Sequence, residues 1–400
     1  MSWTQEINVN NVSTIICGSR VFLGVGAIQK MDFIAEQLKA CDVDSVLVMT
    51  GKGAYAKTGA WDYVTKALDQ QGIRYTLYNK VQPNPEVQQV DEAVKLGLEA
   101  GAKAVIAIGG GSPIDAGKSA AVLLKYPGKT CQELYEQKFT VECAVPIIAI
   151  NLTHGTGTEA NRFAVVTIPE KEYKPVIAYD CIYPLFSIDD PALMTGLPTD
   201  QTRYVSIDAV NHVIEAVSTV LNNPFSITLG KEVMALVAKY LPIALEDPKD
   251  LTARYFLTYA AMIAGTSFDN GLLHFTHALE HPLSGIKPEI THGLGLAILL
   301  PAVIKEVYPA VGKILADVLS PIVPGLTGEA NEAEKAAEGV YAWLKSVGVS
   351  EKLGCVGFVK EDVAKLVQLA FETPVLGDLI NCAPVANDRT VVERIYLSSF

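Results

Sequence analysis

The stretch AVIAIGGGSPIDAGKSAAVLL, residues 104–124, decides the fold. Its first six residues are apolar or glycine, which predicts a strand buried on both faces. The sixth, Gly109, opens a run of three glycines with Gly110 and Gly111, and Ser112–Pro113 then predicts a helix start, with Ser112 as cap and Pro113 in the first turn. A strand, a glycine turn and a helix N-terminus in that order crowd backbone N–H groups around a point that also feels the positive end of the helix dipole. Such a point suits a diphosphate, so Gly110, Gly111 and Ser112 are candidate cofactor contacts. The earlier FLGVGAIQKM (22–31) lacks a third glycine at the right offset and reads as a turn into the first helix.

Working outward, SVLVMT (45–50), RYTLYN (74–79) and PIIAIN (146–151) are further strands bounded by Gly, Pro or Asn, and PEVQQVDEAVKLGLEAG (85–101) has helical periodicity. Alternation of this kind predicts an α/β domain with an open, parallel, Rossmann-like sheet and helices on both faces. Asp, Pro, Gly and Thr concentrate in IDDPALMTGLPTDQT (188–202), and beyond it long helical patterns dominate. The reading is therefore an α/β N-terminal domain over 1–192 followed by an all-α C-terminal domain over 193–400, with the active site expected between them.

The second informative stretch is GLLHFTHALEHPLSGIKPEITHG, 271–293, which holds four of the six histidines. On one continuous helix His274, His277 and His281 would share a face. A buried apolar helix has little use for several imidazoles unless something satisfies their ring nitrogens, and a metal ion does so. In SIDAVNHVIEA, Asp208 and His212 stand one turn apart on another helix. We assign Asp208, His212, His277 and His292 as the ligand set, with Pro282 ending or kinking the helix and His292 reaching in from the loop before Gly293. Three imidazoles and a carboxylate without a thiolate suit Fe(II) or Zn(II) and leave room for a substrate oxygen.

HALEHPLSG, THGLGLAILLP, DAVNHVIEA and GGGSPIDAGK, in that family's order over about Gly24 to Pro301, resemble the iron-containing, or group III, alcohol dehydrogenases. The resemblance implies the two-domain architecture shared with dehydroquinate synthase, and a reversible hydride transfer between an alcohol or aldehyde and a nicotinamide cofactor. It implies that the positions matching Asp208, His212, His277 and His292 hold the metal and that His281 lies beside the nicotinamide, our candidate for relaying the hydroxyl proton. His274 matches no ligand position. GGGSxxDxxK is matched through Asp115 and Lys118, Lys174 matches a lysine near the cofactor ribose, and a homodimer or higher homo-oligomer is implied.

Two more loops belong with the cofactor. PNPEV holds Asn84 between prolines, under the adenosine half; THGTGTE (153–159) offers Thr153 and Thr156 near the nicotinamide. Its His154, where the family has a small residue, reads either as adding a hydrogen bond near the nicotinamide or as facing solvent, the second being preferred. After SVLVMT, NAD-selective relatives carry an acidic residue that accepts from the ribose 2′-OH. Here Gly51 leaves room for a 2′-phosphate and Lys52 can pair with it, so NADP(H) is expected over NAD(H).

A net charge of −12 without any Lys/Arg run argues against nucleic acid or an anionic membrane as partner. Seven scattered cysteines without a CxxC pair read as a reduced protein. MSWTQEINVN lacks the features of a secretory signal, and the longest uncharged apolar run, GLGLAILLPAVI (293–304), is too short to span a bilayer, so a cytoplasmic location is expected. The substrate is read as a small, mostly apolar primary alcohol or its aldehyde. A dehydroquinate synthase-like lyase would need more Lys and Arg among residues 201–300, and a glycerol-type polyol dehydrogenase more hydroxyl-binding side chains. A metal-storing scaffold would have no use for the nucleotide loop.

Overall fold

The computed structural model describes residues 14–400; the segment MSWTQEINVN lies outside them. Cys17–Pro198 and Pro248–Met262 form one compact unit, and residues 199–247 and 263–400, with those described before Cys17, form a second. The units divide after Pro198 rather than at 192–193, and the sheet unit claims 248–262, a stretch whose helical pattern gave no sign of that membership.

The sheet unit is built on six parallel strands: β1 (Arg20–Leu23), β2 (Ser45–Gly51), β3 (Arg74–Val81), β4 (Ala104–Gly109), β5 (Ile147–Asn151) and β8 (Phe186–Asp189). They lie in the order β1-β8-β5-β4-β2-β3. All six residues of β4 are buried, as a strand covered on both faces requires. Separate apolar clusters fill the two sides: Leu47, Met49, Val105 and Ile147 with Val90 and Ala120 on one, Val46, Val48, Ile106 and Ile148 with Ile34 and Leu68 on the other. Gly117 lets the helix Gly111–Leu123 settle onto the sheet, because a Cβ there would come within 2.8 Å of the Ala107 methyl. An antiparallel pair, β6 (Phe163–Val165) and β7 (Val176–Ala178), stands apart from the main sheet.

The second unit is helical. Thr199–Ser218 packs against Pro224–Glu246 and the long helix His292–Val318. The latter has 27 residues and is long and apolar enough to cross a membrane, yet 61 % of its most apolar window is buried inside the protein. Pro301 and Pro309 lie within it, and it is kinked at Val311, whose backbone is non-helical two residues after Pro309. It extends well past the twelve-residue apolar run because Lys305 and Glu306 continue the helix without ending its buried face.

Candidate functional site

The helix Thr199–Ser218 sets Asp208, His212 and Glu215 one turn apart, and all three are buried. A second helix, Phe275–Ile286, carries His277, Glu280 and His281. It begins after His274, whose φ of −143° and ψ of −116° are non-helical, so His274 does not share the face of His277 and His281. Leu272, in the left-handed region with φ 60°, breaks the chain just before it. His274 Nε2 instead meets Ser218 Oγ at 2.8 Å. Pro282 does not end the helix, which runs on to Ile286; the chain returns through 287–291, and His292 is the first residue of the long helix, not a loop residue. Close packing fixes that return, since a Cβ on Gly293 would lie 2.0 Å from the Tyr204 carbonyl oxygen.

These elements converge on one carboxylate oxygen. Asp208 Oδ1 lies 3.5 Å from His212 Nε2, 3.5 Å from His277 Nε2 and 3.9 Å from His292 Nε2. Asp208, His277 and His292 offer ligand atoms that all lie within 4.8 Å of one another. On the far side of two rings sit buried glutamates: His277 Nδ1 donates to Glu215 Oε2 and His292 Nδ1 to Glu280 Oε2. His212 is held by stacking, on Phe268 at 4.5 Å and on His277 at 4.6 Å between ring centroids. His281 is buried, its ring 5.7 Å from that of His292.

The donor set fits a divalent cation. Asp208 Oδ1 and His277 Nε2 are both buried and neither has a hydrogen-bond partner among the described residues. Such atoms are costly to leave dry unless a cation stands between them. The electrostatics agree. Burial works against a charged His277, yet Glu215 and Asp208 raise its pKa to about 9. Burial likewise opposes the Asp208 carboxylate, but His212, His277 and His292 hold it well below its usual range. His212 is pushed down to about 4, chiefly by burial. Positive charge is thus favoured between His277 and Asp208, whether a proton or a metal supplies it, while His212 is held as a neutral ring. Glu280, His281 and His292 form a second group of possible ligands, overlapping the first at His292.

In the sheet unit the glycine loop and the 153–159 loop interlock. A Cβ on Gly110 would sit 2.7 Å from Thr153 Cγ2, and one on Gly111 2.7 Å from Thr156 Cγ2. Gly109 has φ 156° and lies against the Pro113 ring. The helix begins at Gly111 with Gly110 as its N-cap, so Ser112 is not the cap but lies within the first turn; the extended backbone at Gly110 starts the helix two residues early. Asp115 and Lys118 face inward. Asp115 accepts from Thr158 Oγ1 at 2.7 Å and from the Val165 N–H at 3.0 Å, and burial raises its pKa to about 6 against Lys118 and Lys174. Lys118 Nζ donates to the carbonyls of Thr158, Asn161 and Phe163 at 2.6–2.8 Å. Both residues therefore brace the loops around the glycines, and Lys174 is buried near Asp115 rather than on the surface.

His154 does not face solvent. It is fully buried, with Nε2 2.8 Å from Arg254 Nη1, and burial together with that guanidinium lowers its pKa to about 3, so a neutral ring accepts from the arginine. Gly51 ends β2, and Lys52 beside it is exposed. Asn84 is left-handed, φ 52°, in a loop tied down by Thr167 N–H to Pro85 and Val87 N–H to Thr167. Glu215 and Glu280 went unread in the sequence, although a glutamate inside each apolar ligand motif was the available signal.

A family model described as iron-containing alcohol dehydrogenase matches residues 18–191, and one for the C-terminal part of Fe-containing alcohol dehydrogenases matches 202–399. The chain is 56 % identical over 398 residues, all of both chains, to a long-chain primary alcohol dehydrogenase of Thermoanaerobacter ethanolicus. Among solved structures it is similar to an archaeal halo-thermophilic alcohol dehydrogenase from a Red Sea brine pool, with TM-score 0.92 and 25 % identity, covering 98 % of this chain and 100 % of that one. It is also similar to an NADH-dependent butanol dehydrogenase of Thermotoga maritima, with TM-score 0.88 and 28 % identity, covering 97 % and 98 %.

Proposed function

We propose, from the premise that this chain belongs to the iron-containing alcohol dehydrogenase family and is an alcohol dehydrogenase, that it reversibly oxidises apolar primary alcohols with NADP(H) at a divalent metal held by Asp208, His212, His277 and His292. The observation that carries the metal is the convergence of three imidazole Nε2 atoms on Asp208 Oδ1. Iron(II) is our first assignment, zinc(II) the second, because the donors are nitrogen and oxygen only.

When bound, the two groups supply Lewis acidity at an alcohol oxygen and a hydride acceptor. The chain's own residues do the rest. Asp208 provides the single negative charge of the ligand set, and the histidines orient around it. Gly110, Gly111, Ser112, Thr153 and Thr156 offer amides and hydroxyls for the nucleotide, with Asn84 at its adenosine half and Asp115 and Lys174 bracing from within. His281 takes up and passes on the hydroxyl proton at its imidazole. Replacing it with alanine should lower kcat by about 10–100-fold while metal content, read by elemental analysis, stays at the wild-type level; loss of metal with kcat per bound metal unchanged would make it a support for the ligands instead.

NADP(H) is proposed from Gly51 and Lys52: no carboxylate opposes a 2′-phosphate at the end of β2, and an exposed ammonium stands beside it. The Thermotoga relative is described as NADH-dependent, which makes this position the point of comparison. Fluorescence titration should give tighter binding of NADPH than NADH, and the Lys52→Ala variant should lose about tenfold for NADPH alone. Equal affinities, or a preference for NADH, would remove the proposal.

We take the substrate as an apolar primary alcohol or its aldehyde, small by the sequence reading. The Thermoanaerobacter relative's description extends the question to long chains. One assay tests the whole reading: strip the protein, reload it anaerobically with Fe(II) or Zn(II), and follow NADPH absorbance against straight-chain aldehydes of increasing length. Stoichiometric metal without any turnover would sink the enzyme reading.

A further inference from the structure

We infer that Glu215 is a positioning residue of the metal site, a single buried carboxylate that closes the N-terminus of the helix Phe275–Ile286 and fixes which nitrogen of His277 is free to bind a cation. The inference rests on the metal reading above and goes beyond it.

A helix start leaves backbone N–H groups without intrahelical partners. Here the residue at the N-cap, His274, contributes no side-chain cap. The acceptor comes from another helix. Glu215 Oε1 takes the N–H of His274 at 3.1 Å, of Thr276 at 2.8 Å and of His277 at 3.3 Å. Negative charge at that end also suits the helix dipole. The second oxygen, Oε2, receives His277 Nδ1. A carboxylate can only accept, so Nδ1 keeps its proton, and Nε2 is the nitrogen left to give a lone pair when a cation takes the place of its own proton. That nitrogen faces Asp208 Oδ1 at 3.5 Å.

Asp208 and Glu215 lie on the same helix, seven residues apart, with His212 between them. One helix thus supplies two of the ligands and the group that aims a third on the neighbouring helix. The capping bonds make the aim rigid, because the carboxylate that turns the ring is itself held by three main-chain donors. Glu280 does the corresponding service for His292, with Gly295 making room: a Cβ there would meet Glu280 Cγ at 2.7 Å.

The arrangement yields a sharp test through Glu215→Gln. Three backbone donors keep the amide oxygen where Oε1 is, so the amide NH2 must face His277 Nδ1. The ring then accepts at Nδ1 and carries its proton on Nε2, where the cation should bind. Capping survives and metal binding weakens. Competition titration of stripped protein with Zn(II), and separately with Co(II), should show affinity lowered 10–100-fold in Glu215→Gln. Thermal unfolding of the stripped variant should stay within a few degrees of stripped wild type.

Equal affinity in wild type and Glu215→Gln overturns the inference while leaving the metal reading intact. Wild-type protein that takes up neither ion overturns both. A second measurement does not depend on the variant folding: histidine-selective 15N spectra of Zn(II)-loaded wild type, with the His277 signal identified by its absence in His277→Asn. A proton on Nδ1 is the expected result, and a proton on Nε2 overturns the inference.

Discussion

Asp208→Asn is expected to reduce kcat/KM by about 10³-fold or more and to leave the purified protein without stoichiometric metal. The substitution keeps the shape of the side chain, so the helix Thr199–Ser218 should pack as before. What it removes is charge. The three imidazoles around Asp208 Oδ1 are neutral ligands, and Asp208 is the one carboxylate they converge on. Glu215 and Glu280 are committed to the Nδ1 sides of two rings and cannot take its place without releasing them. A doubly charged ion brought into so buried a setting then meets nearly its full desolvation cost with no adjacent counter-charge. The measurements are metal stoichiometry by elemental analysis and turnover after reloading. A variant that kept stoichiometric metal and more than a tenth of wild-type kcat/KM would show that the ligand set is wrong.

Much of this was readable before any coordinates. The strand 104–109 was legible because burial on both faces leaves only apolar residues and glycine. The strand β8, FSID, two places along the same sheet, was not, since Ser187 and Asp189 are buried polar residues whose partners are tertiary: Ser187 Oγ donates to the Glu159 carbonyl, and Asp189 Oδ1 accepts from Asn151. β1, β6 and β7 were missed because runs of three or four residues carry too little alternation to register.

The histidines were visible as a cluster, but periodicity alone put His274 on their face. The helix start that excludes it depends on the backbone at Leu272 and on a cap from another helix. Asp115 and Lys118 show the same limit. Their spacing from the glycines was plain, but that they point inward, bracing the 158–165 segment, depends on a loop some forty residues away. His154 was misread for a related reason. The arginine it serves is one hundred residues further on, in the 248–262 segment whose place in the sheet unit was itself hidden.

The sheet unit should also lose stability as pH rises from about 5 to about 8, and Glu159→Gln should abolish most of that loss. Glu159 follows the Thr153–Thr158 loop and is completely buried, and neither carboxylate oxygen has a hydrogen-bond partner among the described residues. Nearby, Asp189 is equally buried; one of its oxygens accepts from Asn151 and the other has no hydrogen bond. Burial raises the pKa of Glu159 to about 7, with its own backbone N–H and then Lys118 opposing and Asp115 reinforcing; burial and then Glu159 raise that of Asp189. A folded-state pKa near 7 against an ordinary value of 4.5 means that the native protein keeps a proton the unfolded chain gives up. Stability from that proton is complete below about pH 4.5 and disappears as pH climbs through 7, a difference on the order of 3 kcal/mol. Glutamine holds the neutral shape at every pH. At pH 8 the variant should therefore unfold several degrees above wild type, and at pH 5 at the same temperature or slightly below, since the second amide N–H lacks an acceptor. Other groups titrate over this range in both proteins, so the quantity to read is the difference between the two unfolding curves measured in the same buffers. Parallel curves from pH 5 to 8 would mean that Glu159 is ionised in the native protein, with a counter-charge close enough to hold it so.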